Sequence, residues 1–122
     1  EQPTIYGDGT QRRDFIHVDD INDFHMLCLA DDRVNNRSFN LGTGKNYSIL
    51  ELFDVISELV GNKDIKPVFK PKTSTADFDP QETLADISRA KELGWSSKID
   101  LKTGLADMVD YLKEEIKKGN VK

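Results

Sequence analysis

The 122-residue chain has one cysteine, one tryptophan, two histidines and no apolar run near the roughly 18 residues that a membrane span requires. A single Cys28 excludes an internal disulfide framework and a Cys-based zinc cluster, and within Met26-Leu27-Cys28-Leu29 it reads as a buried bystander. His17 and His25 have no third ligand near them in sequence, so they read as packing or capping residues rather than a metal pair. Basic charge is short as well: 17 Lys and Arg face 22 Asp and Glu, a net charge of -5. A surface that binds nucleic acid needs clustered cations on a basic face, so no nucleic-acid partner is expected. With neither a span nor a charged-then-apolar leader, no membrane association is expected, and the chain reads as soluble and cytoplasmic. The opening Glu1-Gln2-Pro3 has no methionine and runs straight into Ile5-Tyr6, which leads us to expect that the chain was cut from a longer one.

What is present is a short alternation of strands and helices. Residues 4–6 read as a strand stopped by Gly7-Asp8-Gly9, where two glycines permit a tight loop. Residues 14–18 alternate as a second strand, and Asp19-Asp20 then cap a helix that runs on Ile21, Phe24, Leu27 and Cys28 to about Asp31-Asp32. Ser38-Phe39-Asn40-Leu41 is strand-like and leads into the turn Gly42-Thr43-Gly44. Ser48 and Glu51 stand three apart as a capping box, opening a helix on Ile49, Leu52, Phe53, Ile56, Leu59 and Val60 that Gly61 stops. Pro67-Val68-Phe69 is a brief strand, and residues 70–82, with two prolines and no period, read as a long loop. A short helix over residues 86–93 ends at Gly94, Trp95 anchors the turn, and residues 101–118 form a closing helix on Leu101, Leu105, Met108, Val109, Leu112 and Ile116. Short strands among segregated helices predict an α+β fragment, or the remnant of an α/β protein.

One residue carries a chemical argument without outside help. A guanidinium just after a glycine loop can give two parallel hydrogen bonds to a phosphate, which a lysine cannot reproduce, and Arg13 stands there beside Arg12. In a strand the two point to opposite faces, one toward a ligand and the other toward solvent or a carboxylate. An ion pair of Arg13 with Asp19 or Asp20 accounts for the pattern equally well. Gly42-Thr43-Gly44 lacks the spacing of a dinucleotide fingerprint or a P-loop, and no nucleophile, base and orienting group stand together.

Four blocks in register are similar to the C-terminal part of the NAD-dependent epimerase/dehydratase family, the extended short-chain dehydrogenase/reductases typified by UDP-glucose 4-epimerase. They are residues 4–20, Thr-Ile-Tyr-Gly-Asp-Gly-Thr-Gln-Arg-Arg-Asp-Phe-Ile-His-Val-Asp-Asp; residues 39–44, Phe-Asn-Leu-Gly-Thr-Gly; residues 84–88, Leu-Ala-Asp-Ile-Ser; and Leu93-Gly94-Trp95. The resemblance implies a C-terminal nucleotide-sugar-binding domain over residues 1–122, part of an α/β Rossmann enzyme whose dinucleotide-binding half is absent. It implies that Thr4, Ile5 and Tyr6 hold the base through their backbone, that Arg13 binds the diphosphate and that Asp79 binds the ribose. Thr83 matches the position that gates the sugar's 2-substituent, and a small residue there implies room for an N-acetyl group. The family's second diphosphate arginine is replaced by Ala76, leaving Lys70 or Lys72 to substitute.

The resemblance also implies NAD as cofactor. The glycine-rich cofactor loop and the Tyr-x-x-x-Lys pair that the family uses do not occur in these residues, so no catalytic residue is expected here and the chemistry falls to the parent. The favoured parent is a 4-epimerase that removes a hydride from C4 of a UDP-hexose and returns it to the other face. A sugar-nucleotide dehydratase or reductase of the same family is the second reading. A non-catalytic nucleotide-sugar-binding module is the third. By resemblance the parent is a homodimer, and the isolated chain, with the strand edge at residues 38–41 unpaired, is expected to be marginally stable or self-associating.

Overall fold

The first strand fixes the geometry of everything near the glycine loop, and it owes its place to a partner more than sixty residues away. The computed structural model of the chain describes residues 2–72 and 79–121. Within them, β1 (Thr4–Tyr6) pairs in parallel with β4 (Val68–Lys70), Ile5 opposite Phe69. Ile5 is buried, while Thr4 and Tyr6 are exposed. A second two-stranded sheet joins β2 (Arg12–Arg13) to β3 (Tyr47–Ser48) in antiparallel register, Arg12 opposite Ser48. Four α-helices complete the fold: α1 (Val18–Ala30), α2 (Ile49–Leu59), α3 (Ser88–Glu92) and α4 (Leu101–Lys117). No helix of the described residues is long and apolar enough to cross a membrane.

Two strands expected from sequence are absent. Residues 14–17 alternate but form no ladder, because the backbone after Arg13 leaves β2 and runs directly into α1, which starts at Val18. The cap of α1 is His17 and not Asp19-Asp20: the Asp19 N–H donates to His17 Nδ1 at 3.2 Å. Asp20 has turned inward and is buried, its carboxylate accepting the backbone N–H groups of Lys98 at 2.9 Å and Ile99 at 3.1 Å. Residues 38–41 form no strand and pair with none among the described residues. Phe39 and Leu41 rest instead against the main core.

That core is Phe24 of α1, Ala90 of α3, Leu93 and Trp95. Phe24 meets the Phe39 ring at 5.3 Å and the edge of Trp95 at 5.6 Å between centroids. The Trp95 indole N–H donates to the backbone carbonyl of Asp20 at 3.1 Å, so the tryptophan anchors the turn through a hydrogen bond as well as by burial. Cys28 is half-buried beside this cluster. His25 stands exposed on α1, neither packed nor capping.

α2 begins as its sequence dictates. The Glu51 N–H donates to Ser48 Oγ at 3.0 Å and the Ser48 N–H to Glu51 Oε2 at 2.7 Å, a complete capping box. α4 is capped by Asp100, which accepts the Thr103 N–H at 2.8 Å. Its apolar stripe is only partly covered: Leu105 and Val109 are buried, whereas Met108, Leu112 and Ile116 are exposed. Asp86 likewise accepts the Ser88 N–H at the start of α3.

The hydrogen bonds at these helix starts give the chain an acid limit. Donation from the Ser48, Thr103 and Ser88 backbone N–H groups holds the carboxyls of Glu51, Asp100 and Asp86 below their ordinary values. A lowered folded value contributes stability that is complete above the unfolded carboxylate range and lost as pH falls through the folded value. The melting temperature is therefore expected to be level from neutrality to about pH 5 and to fall below about pH 4. Scanning calorimetry across that range tests it, and a melting temperature unchanged down to about pH 3 would refute it.

Candidate functional site

β1 offers a ligand one open edge. Val68 N–H donates to the Pro3 carbonyl and Gly7 N–H to the Lys70 carbonyl, each at 2.8 Å, so the odd-numbered residues face β4. The alternation of a strand then turns the peptide groups of Thr4 and Tyr6 to the opposite edge, which no strand covers among the described residues. There the Tyr6 carbonyl accepts the Gln11 side-chain N–H at 3.3 Å. The loop that follows turns through Gly7 and Gly9, at φ 82° and 76°, a conformation that a side chain would strain. Asp8 closes it by accepting the Thr10 N–H and hydroxyl, which, with Lys72 adding its charge, hold the Asp8 carboxyl below its ordinary value.

The two arginines of β2 point apart, as a strand requires. Arg12 Nη1 pairs with Glu51 at 3.0 Å, while its Nε and Nη2 donate to the Asn46 side-chain and backbone oxygens at 3.0 and 2.9 Å. Arg13 Nη1 donates to the Arg12 carbonyl at 2.7 Å, and its Nη2 pairs with the Asp79 carboxylate. Arg13 is thus held by a carboxylate, though neither Asp19 nor Asp20 supplies it. The Arg13 side chain is 24% exposed and that of Asp79 39% exposed, so this pair lies within reach of solvent and of a solute.

Backbone pairing brings Asp79 to that position. The Arg12 N–H donates to the Gln81 carbonyl at 2.8 Å and the Thr83 N–H to the Arg12 carbonyl at 3.1 Å, laying residues 81–83 alongside β2. Asn46 donates across to Glu82 Oε1 at 2.7 Å and ties this segment to the Arg12 network. Thr83 is exposed and lines an open cleft with Asp14, Phe39, Asn40, Leu41 and Ala85. Lys72 lies across Gly7, its Cε 2.8 Å from where a Cβ on that glycine would stand. Lys70 ends β4 with its carbonyl bonded to Gly7. Ala76 lies outside the described residues.

The structure therefore brings Arg13 and Asp79 into contact and lays Thr83 alongside β2, while Thr4 and Tyr6 belong to the other sheet and the Ile5 side chain to the core. Sequence reasoning missed Gln11, Asn46 and Asp14. The Asp14 carboxylate receives the Thr43 N–H at 2.9 Å, the Thr43 hydroxyl at 2.7 Å and the Gly44 N–H at 3.1 Å. The turn at residues 42–44 is thereby filled by an internal anion, and no glycine cradle for the phosphates of NAD is left at it. No group of three His, Cys, Asp or Glu among the described residues is placed to hold a metal ion. An apolar groove of about 590 Å³ runs between α2 and α4, below Phe15 and Val18, and takes no part in this site.

A family model described as GDP-mannose 4,6 dehydratase matches residues 1–108. The chain belongs to that family, among the NAD-dependent epimerases and dehydratases of the extended short-chain dehydrogenase/reductases. Members similar to it include UDP-glucuronic acid decarboxylase 1 of Arabidopsis thaliana, 39% identical over 114 residues, which are 93% of this chain and 25% of that protein. Among solved members, UDP-glucose 4-epimerase of Thermotoga maritima with UDP-glucose superposes with a TM-score of 0.85 at 34% identity, covering 95% of this chain and 36% of that one. The UDP-N-acetylglucosamine 4-epimerase of Methanobrevibacter ruminantium, in complex with UDP-N-acetylmuramic acid, gives 0.83 at 31% identity over 94% and 36% of the two chains. UDP-glucuronic acid 4-epimerase of Bacillus cereus, with UDP-glucuronic acid and NAD, gives 0.78 at 31% identity over 92% and 35%. The family relatives act on UDP-sugars as epimerases and decarboxylases and on GDP-sugars as synthases and reductases. The chain spans between a quarter and about a third of the length of the curated relatives it matches.

Proposed function

We propose that this chain is the C-terminal, nucleotide-sugar-binding part of an NAD-dependent 4-epimerase acting on UDP-hexoses, and that it does no chemistry alone. The observation that carries the reading is the Arg13–Asp79 pair, partly exposed beside residues 81–83. The ligand takes the place of each partner for the other: its diphosphate accepts from the Arg13 guanidinium in place of Asp79, and a ribose hydroxyl donates to the freed Asp79 carboxylate. Such an exchange keeps both charges satisfied in the bound state, so binding leaves no orphaned ion. The backbone of Thr4 and Tyr6 holds the base, and Lys72, lying across Gly7, supplies the second cation toward the diphosphate. NAD is held by parts of the parent outside these residues, since the Gly42-Thr43-Gly44 turn does not fit it. We assign the parent to a homodimer, on the family resemblance.

The full-length gene product, titrated calorimetrically with UDP-glucose and GDP-mannose and then assayed for UDP-galactose formed from UDP-glucose, tests this reading. Binding of UDP-glucose with formation of UDP-galactose supports it. Binding followed by loss of carbon dioxide from UDP-glucuronic acid would replace the epimerase with a decarboxylase, the activity named for the relative of 39% identity, and loss of water or net reduction of the sugar would favour the dehydratase or reductase reading. Absence of any nucleotide-sugar binding rejects both.

Thr83 extends the proposal to the sugar. A threonine leaves room beside the 2-position, and the full-length enzyme is expected to turn over UDP-N-acetylglucosamine as well as UDP-glucose. Thr83→Tyr is expected to lower the ratio of N-acetylated to plain substrate turnover by about tenfold, because a ring would fill that room. A wild-type enzyme that uses UDP-glucose but not UDP-N-acetylglucosamine would dismiss the idea.

A further inference from the structure

Asp14 follows Arg13 directly, and its carboxylate reaches the turn at residues 42–44. It accepts four hydrogen bonds from three donors of one turn: Thr43 N–H to Oδ1 at 2.9 Å and to Oδ2 at 3.1 Å, Thr43 hydroxyl to Oδ1 at 2.7 Å, and Gly44 N–H to Oδ2 at 3.1 Å. All are neutral donors, and no lysine or arginine pairs with Asp14 among the described residues. Gly42 is pressed between two segments, since a Cβ there would lie 2.5 Å from Asp14 Oδ2 and 2.7 Å from the Ala85 Cβ. Three stretches of chain therefore meet at this carboxylate: Arg13-Asp14, the turn at residues 42–44, and residues 83–85.

The third stretch is fastened at both ends. At Thr83 its N–H donates to the Arg12 carbonyl, and at Ala85 it abuts Gly42, whose position the Asp14 hydrogen bonds set. Asp14 also lines the cleft that Thr83 and Ala85 border. We infer that Asp14 is a positioning residue for sugar recognition, holding the wall that carries Thr83 at a fixed distance from Arg13. This deepens the proposed function and rests on it. Arg13 keeps its own hold on the Arg12 carbonyl, so the nucleotide end of the ligand should feel a loosened turn less than the sugar end.

The experiment compares dissociation constants for UDP and UDP-glucose, measured calorimetrically on the full-length protein and on two variants. Asp14→Asn turns an all-acceptor group into one that presents an NH₂ to the turn, and it is expected to shift the ratio of the two constants by about tenfold against UDP-glucose, with UDP altered by less than about threefold. Thr43→Val removes one donor and keeps the volume, so it is expected to shift the ratio in the same direction by about threefold, and it decides the matter if Asp14→Asn does not fold. A ratio unchanged in the folded variants, or equal loss for both ligands, would overturn the inference and leave Asp14 a purely structural clamp. A wild-type protein that binds neither ligand would overturn the proposed function, and the role of Asp14 with it.

Discussion

Arg13→Ala is expected to weaken binding of UDP-glucose by about a hundredfold while barely changing the melting temperature. Hydrogen bonds to charged groups contribute about 1.5–3 kcal/mol each; loss of the proposed bidentate diphosphate contact removes two of them, and the Asp79 pair that the wild type gives up on binding offsets part of that. In the free protein the same guanidinium meets one carboxylate in a partly exposed pair, which is worth little to stability. Asp79, already 39% exposed beside Arg13, remains hydrated when left alone. Arg13→Lys should recover only a minor part of the affinity, because an ammonium cannot give two parallel hydrogen bonds from one plane. Calorimetric titration beside thermal melts separates the two effects. Affinity within a few-fold of wild type in both variants would remove Arg13 from the site, whereas a large fall in melting temperature would recast it as a structural residue.

Phe24→Ala is expected to leave the chain largely unfolded in the absence of denaturant. Phe24 is the ring between Phe39 and Trp95, and Ala90 and Leu93 close the same cluster. Truncating a buried phenylalanine costs about 3–5 kcal/mol, because the cavity collapses only in part. Among the described residues only eight apolar side chains are buried, whereas Leu29, Met26, Tyr111, Leu84 and Phe69 are more than half exposed. A chain of this size with so small a core stands near the low end of domain stability, about 5 kcal/mol or below. The single tryptophan, Trp95, sits in the cluster and reports on it directly by fluorescence during urea titration. A cooperative transition within about 1 kcal/mol of wild type would show that the aromatic cluster is not what holds the helices together.

Local chemistry made much of this fold readable. The glycine loop needs only its two glycines, and Ser48 with Glu51 announces α2 three residues apart. Where the reading failed, a distant group had intervened. Residues 14–17 have the alternation of a strand, but the Asp14 carboxylate is drawn to a turn about thirty positions on, and the chain follows it out of the sheet. Asp20 looks like a helix cap and is instead consumed by backbone donors near residue 98. The exposed half of the α4 stripe shows that a 3.6-residue period tells which face is apolar and not what will cover it. Of the site, Arg13 could be argued from its place after the loop. Asp79 could be argued only by resemblance, since no periodicity connects residues 66 positions apart.

The pairing of β1 with β4 also orders events in time. β1 has no partner until Val68–Lys70 has been synthesised, with all of α1 and α2 threaded between them. Parallel pairings across such separations close slowly, because the intervening chain must surrender its freedom before the ladder gives anything back. α2, with its local capping box, can form well before then. The proposed nucleotide site is thus completed only after α1 and α2 have been made, and a nascent chain released before Asp79 would carry Arg13 without that carboxylate.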